Sequence, residues 1–119
     1  MTTLKIGRDT VGDRELEAWG AIGSAMDGPM ETRGVETWRS PDERIGTGIW
    51  ECDAGRFRAN FAKTGEFIQV ISGSMTCTAA DGTVTELGPG DAMTFPPGWE
   101  GEWHVHAPLR KLYCEFKPE

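Results

Sequence analysis

The sequence predicts an all-β fold, a sandwich or barrel built from many short strands. Three observations carry this. The chain's 16 glycines and 7 prolines fall between short runs of alternating polarity. Those runs, about nine or ten of them, recur at near-regular intervals. Asp81-Gly82 sits between two β-prone runs, and a tight two-residue hairpin turn needs the positive φ that glycine supplies.

The first part, Met1 to about Gly34, is expected to form an arm that packs on the domain's own sheet or on a partner subunit. Within it, Leu16, Trp19 and Ile22 are spaced for one face of a short helix, which the nearby glycines weaken. "SAMDGPMETRG" reads as a loop. The single domain then spans 35–119. "VETWR" is its first strand, turned by "SPDERIG" into "TGIWEC", and "DAG" leads into "RFRANFA". "EFIQVIS" is followed by a turn at "GS" and by "MTCTAA". "TVTEL" and "AMTF" come next, then Pro96-Pro97-Gly98, and "GEWHVHA" and "LRKLYCEF" complete the series.

At 119 residues the chain has room for one domain with a real core. Its formal charge of −7 and pI of about 4.8 oppose binding to phosphate backbones or anionic membranes. No apolar run is long enough for a membrane helix, and the N-terminus lacks an apolar signal core, so a cytoplasmic location is expected. Cys52, Cys77 and Cys114 are odd in number and lack zinc-site spacing, which points to reduced, mostly buried thiols.

Two blocks carry a family resemblance. "GRFRANFAKTGEFIQVISG", with Glu66 seven residues before Gly73, and "GDAMTFPPGWEG", with Gly90, Pro96 and Gly98, resemble the two signature motifs of the cupins. The resemblance implies a cupin-type jelly-roll barrel. "GIWECDAG", "FPPGWEGEW" and "LRKLY" are more narrowly similar to small cupins grouped with the ureidoglycine aminohydrolase cupin domain.

A metal-binding cupin would bring three histidines and a glutamate together inside the barrel, a donor set suited to a divalent first-row ion. Here Glu66 holds the glutamate position, but the histidine positions fall at about Phe61 and Lys63 and at Gly101. No cofactor is therefore expected. A divalent first-row metal remains the alternative, with Glu66, His104 and His106 as ligands, or with His104, His106 and Glu102 on an outer face. In "WEGEWHVHA" the alternation puts Trp99, Gly101, Trp103 and Val105 on one face and His104 and His106 on the other. Because Gly101 matches an inward family position, the tryptophans are expected inside and the histidines outside.

The interior is then expected to be an aromatic pocket with a few charged groups, the usual make-up of a small-molecule site. Phe57, Phe61, Trp50, Trp99 and Trp103 are its candidate ligand-binding residues, with Ile68 and Val105 also inward and Glu51 as an alternative to Trp50. Glu66 and Lys63 are the candidate catalytic pair, or else a semi-exposed ion pair at the barrel mouth. Arg110 and Lys111 read first as outer-face or interface charges and second as anchors for a carboxylate ligand. Arg56 and Arg58 face away from Phe57. Three functions stay open: a metal-independent cupin binding a small organic molecule, a metal-dependent aminohydrolase, isomerase or dioxygenase, and a non-catalytic assembly subunit. A homodimer is the expected assembly, because open sheets leave edges that need cover.

Overall fold

The computed structural model describes residues 3–118. All of its regular structure is β: β1 (Glu17–Ala21), β2 (Glu31–Arg39), β3 (Ile45–Cys52), β4 (Gly55–Asn60), β5 (Gly65–Ala79), β6 (Val84–Leu87), β7 (Ala92–Phe95) and β8 (Glu100–Phe116). Every named pairing is antiparallel.

Two long strands organise the molecule. The first half of β8 pairs with β4 and with the second half of β5, while its second half pairs with β3 and with the first half of β5. β6 and β7 extend the two halves of β5, and β2 and then β1 continue outward from β3. The result is two layers shared by the same two strands, the jelly-roll arrangement.

The bend lies where the β5–β8 register slips, between Val70 and Met75, opposite Ala107. Gly73 makes it possible. Its φ is +83°, and a Cβ there would lie 2.1 Å from the Pro108 carbonyl oxygen, so only glycine lets the strands approach this closely. Pro108 has no N–H to give a ladder, which suits a residue at a bend. "EFIQVIS" and "MTCTAA" are therefore one strand, as are "GEWHVHA" and "LRKLYCEF", and the strand count is eight.

The arm also differs from expectation. Residues 17–21 form an edge strand on β2. Pairing with β2 satisfies backbone groups there, and Gly20, at φ +93° beside a register shift, would weaken a helix. β2 itself begins at Glu31, so the end of "SAMDGPMETRG" is strand rather than loop.

The core between the layers contains Cys52, Phe57, Ile68, Val70, Met75, Cys77, Phe95, Trp103, Val105 and Leu109. The period-2 alternation of β4 and β8 that selects these residues also aims the charged ones, because neighbouring side chains leave a strand on opposite faces.

Candidate functional site

A cavity of about 500 Å³ opens between the layers. Its aromatic walls come from Trp50 on β3, Phe57 on β4, Phe61 just after β4, and Trp103 and Tyr113 on β8, with Trp19 of β1 at the mouth. Trp50 meets Trp103 edge to face, with centroids 6.3 Å apart at 88°. Phe61 stacks on Phe95 at 5.3 Å. Trp19 packs against Gly34, where a Cβ would come within 2.4 Å of its ring.

At the floor, the Lys111 ammonium donates to Glu66 Oε1. Both residues are buried, at 3% and 9% exposure. The ammonium also lies 4.5 Å from the Trp50 ring centroid and 4.6 Å from that of Trp103. Removing two charges from water costs several kcal/mol per ion. Their mutual attraction offsets part of this, and each desolvated cation–π contact adds about 2 kcal/mol. The lysine head group is thus held between two indole faces.

Lys111 read first as an outer-face or interface charge and only second as a ligand anchor, and the structure turns it into the cavity. It is inward because β8 does not break at Pro108: the phase that turns Trp103 and Val105 inward continues through Leu109, Lys111 and Tyr113. Carrying the alternation straight through "VHAPLRKLY" would have found it. Lys63, expected beside Glu66, is instead exposed in the segment between β4 and β5. The pair at the floor is therefore Lys111–Glu66.

Among the other expected residues, Trp50, Phe57, Phe61, Glu66 and Trp103 share the cavity. Trp99 does not. It sits behind the Phe61–Phe95 layer, edge-on to Phe95 at 4.9 Å, and lines a separate depression with Met93 and Cys77. Trp50 takes the inward position on β3, and its neighbour Glu51 faces the other way. Glu51 accepts from Arg33 at 2.5 Å and from Arg110 at 2.8 Å. Burial works against its charge, but these two guanidiniums hold its carboxyl below the usual range. Arg110 is buried on that outer face and also donates to the carbonyls of Val11 and Arg14, both at 2.9 Å, which ties the arm down.

His104 and His106 point outward and are exposed. Their ring centroids are 4.3 Å apart, and His106 Nε2 lies 2.8 Å from Thr76 Oγ1. Glu102 lies 3.9 Å from Arg56, which binds Asp27 more closely at 2.7 Å. Among the described residues no group of three or more metal-ligating side chains converges. The thiols of Cys52 and Cys77 are pushed up to about 12 by burial, which leaves them protonated and unsuited to act as nucleophiles.

The family model for the EutQ-like cupin domain matches residues 39–113. The chain belongs to the EutQ-like cupin family. Solved cupins and their relatives share its fold. A protein of unknown function of the DUF861 family from Pseudomonas syringae superposes with a TM-score of 0.79 at 15% identity, over 87% of this chain and 45% of that one. The EutQ protein of Clostridium difficile gives 0.62 at 20% identity, over 74% of this chain and 64% of that one. The polyketide cyclase RemF from Streptomyces resistomycificus gives 0.64 at 22% identity, over 99% and 83%. This cupin therefore spans less than half of the first protein and under two thirds of the second. Comparison with curated proteins gave no match.

The donor set of this cupin does not fit the divalent ion that the superfamily resemblance implies. Of the positions that the resemblance assigned to imidazoles, Phe61 lines the cavity, Lys63 is exposed in the segment after β4 and Gly101 lies on β8, and none of the three supplies a metal ligand. The one remaining ligand, Glu66, already binds an ammonium, and that positive charge repels a metal ion at the same carboxylate.

Proposed function

We propose that this cupin binds a small, flat organic molecule in the barrel cavity without a divalent metal. The single observation that carries the reading is Lys111, a buried cation that faces Glu66 at the floor of an aromatic-walled cavity. A concave apolar site with a few convergent polar groups is the usual form of a small-molecule pocket. The test combines elemental analysis of untagged protein, purified without chelator, with tryptophan fluorescence during titration of a panel of ring-containing metabolites. The expected result is no stoichiometric metal, even after incubation with manganese, zinc, iron or nickel, together with a saturable change for some panel members that Lys111→Met removes. Stoichiometric uptake of a first-row metal that Glu66→Gln abolishes would overturn the metal-free reading.

A second reading is enzymatic, with Glu66 as general base and Lys111 as the cation that stabilises a developing oxyanion. It is favoured by the buried carboxylate beside the cavity; the likeness to the polyketide cyclase contributes the fold alone. An aminohydrolase reaction rests on the narrower motif resemblance. Under the enzymatic reading Glu66→Gln abolishes turnover and leaves binding in place.

We further propose a homodimer and a cytoplasmic setting. The outer edges of β1 and β6 need cover, and three free cysteines suit a reducing compartment. No helix among the described residues is long and apolar enough to cross a membrane. The acidic charge favours neither nucleic acid nor membrane as a partner.

A further inference from the structure

We infer that the ligand's inward end is uncharged, a carbonyl flanked by an N–H or O–H on a flat ring system. This deepens the proposed binding function and rests on it. Two observations lead to it, one of charge and one of hydrogen bonding.

Five charged side chains line the cavity: Glu36, Glu66 and Glu115 against Arg39 and Lys111. At the floor, Lys111 and Glu66 neutralise each other in direct contact. A ligand carboxylate placed there would face Glu66, and a ligand ammonium would face Lys111, so either charge meets its like. At the mouth, Arg39 is held by Glu36 at 2.5 Å and lies 4.0 Å from Glu115. One negative charge is left over, which disfavours the entry of anions.

The hydrogen bonds at the floor are incomplete on both sides. An ammonium carries three N–H bonds, and among the described residues Lys111 spends one, on Glu66 Oε1, while indole faces flank the rest. No protein donor among the described residues reaches Glu66 Oε2. Trp103 Nε1 is the one buried side-chain polar atom among them without a partner. That N–H is closed off from the cavity, so the spare donors at the floor are those of Lys111. Spare donors therefore stand next to a spare acceptor. A carbonyl oxygen answers the first and the adjoining N–H or O–H answers the second, while Trp50, Phe57, Phe61 and Trp103 supply faces for the ring.

The test uses three probes that share one ring system and differ in the charge of the head group: 2-naphthamide, 2-naphthoate and 2-naphthamidinium. Each is titrated into the ¹⁵N-labelled full chain while the indole N–H signals of its five tryptophans are followed. The amide is expected to bind at least about tenfold more tightly than either charged probe, in line with the loss incurred when a buried charge is left unmatched. It is expected to move the Trp50 and Trp103 signals and to leave that of Trp38, which lies outside the cavity, unchanged. Glu66→Gln, checked for a native amide spectrum, is expected to erase the preference over 2-naphthoate and to keep that over 2-naphthamidinium, which still faces Lys111. If it does not fold, the ranking on the unaltered chain decides alone. Equal or tighter binding of naphthoate or naphthamidinium, with the same two signals moving, overturns the uncharged head group but leaves the cavity as a binding site. No movement of either signal with any probe overturns both.

Discussion

Arg110 and Lys111 are neighbours on one strand, both buried, both bound to a glutamate, and they face opposite ways. Arg110 finds acceptors in Glu51 and in the carbonyls of Val11 and Arg14, and Arg33 shares Glu51 with it. A planar guanidinium suits such a fork of acceptors. Lys111 has one carboxylate oxygen, two ring faces and a cavity. The number of side-chain and backbone partners separates the roles. A buried cation whose neighbours are all parts of the chain holds the fold together, whereas one with donors left over at a cavity is placed to meet something else.

Removing Lys111 is the largest expected perturbation of this contrast. Lys111→Met leaves Glu66 buried without its counter-charge, and the expected loss is about 3–5 kcal/mol in urea unfolding. Adding Glu66→Leu removes the orphaned charge and is expected to restore most of that stability while ligand binding stays lost. If the double variant is as unstable as the single one, the lysine stem's packing matters more than the pair. A smaller effect is expected on the other face. Arg110→Lys keeps the charge but cannot reproduce the fork, and a loss of roughly 1–2 kcal/mol is expected. Faster amide exchange across residues 11–14 should accompany it, with ligand binding unchanged. Unchanged exchange there would mean that Arg110 does not tether the arm.

The smallest effect is in pH. Glu51 and Asp53 have their carboxyls held below the ordinary range, Glu51 against its burial by Arg110 and Arg33, Asp53 by the Glu31 backbone N–H and Arg33. A lowered folded-state value means that these groups stabilise the fold above the unfolded value, near about 4. Their contribution is then lost as pH falls below it toward the folded value. Glu51→Gln is expected to flatten the acid limb of a melting-temperature profile and to leave its neutral limb parallel to that of the unaltered chain. An acid limb of unchanged slope would place the acid sensitivity elsewhere.

Much of the site was legible along single strands. "RFRANF" orders Phe57 inward and Arg56 outward, and "WHVH" orders Trp103 and Val105 inward with both histidines outward; period-2 geometry alone requires it. What was lost turns on where strands begin and end. Pro108 looked like a break, and splitting β8 there discarded the phase that carries Lys111 to the cavity floor. Lys63 looked close to Glu66 in sequence, but the chain between β4 and β5 turns it to solvent. Trp99 shares a nominal face with Trp103, yet it comes just before β8, and the Phe61–Phe95 stack separates it from the cavity.

The sequence by itself determined an all-β sandwich or barrel with an aromatic interior, because turn chemistry and alternation are local properties of the chain, while its two motifs carried the resemblance to the cupins. The tertiary structure alone decided that Lys111 is the partner of Glu66 and that Arg110 fastens the arm. Both contacts join residues 45 or more positions apart. Lys111 reaches Glu66 because β5 pairs with β8, and Arg110 meets Glu51 because β3 pairs with β8 in the register that sets the two opposite, and no local pattern specifies either pairing.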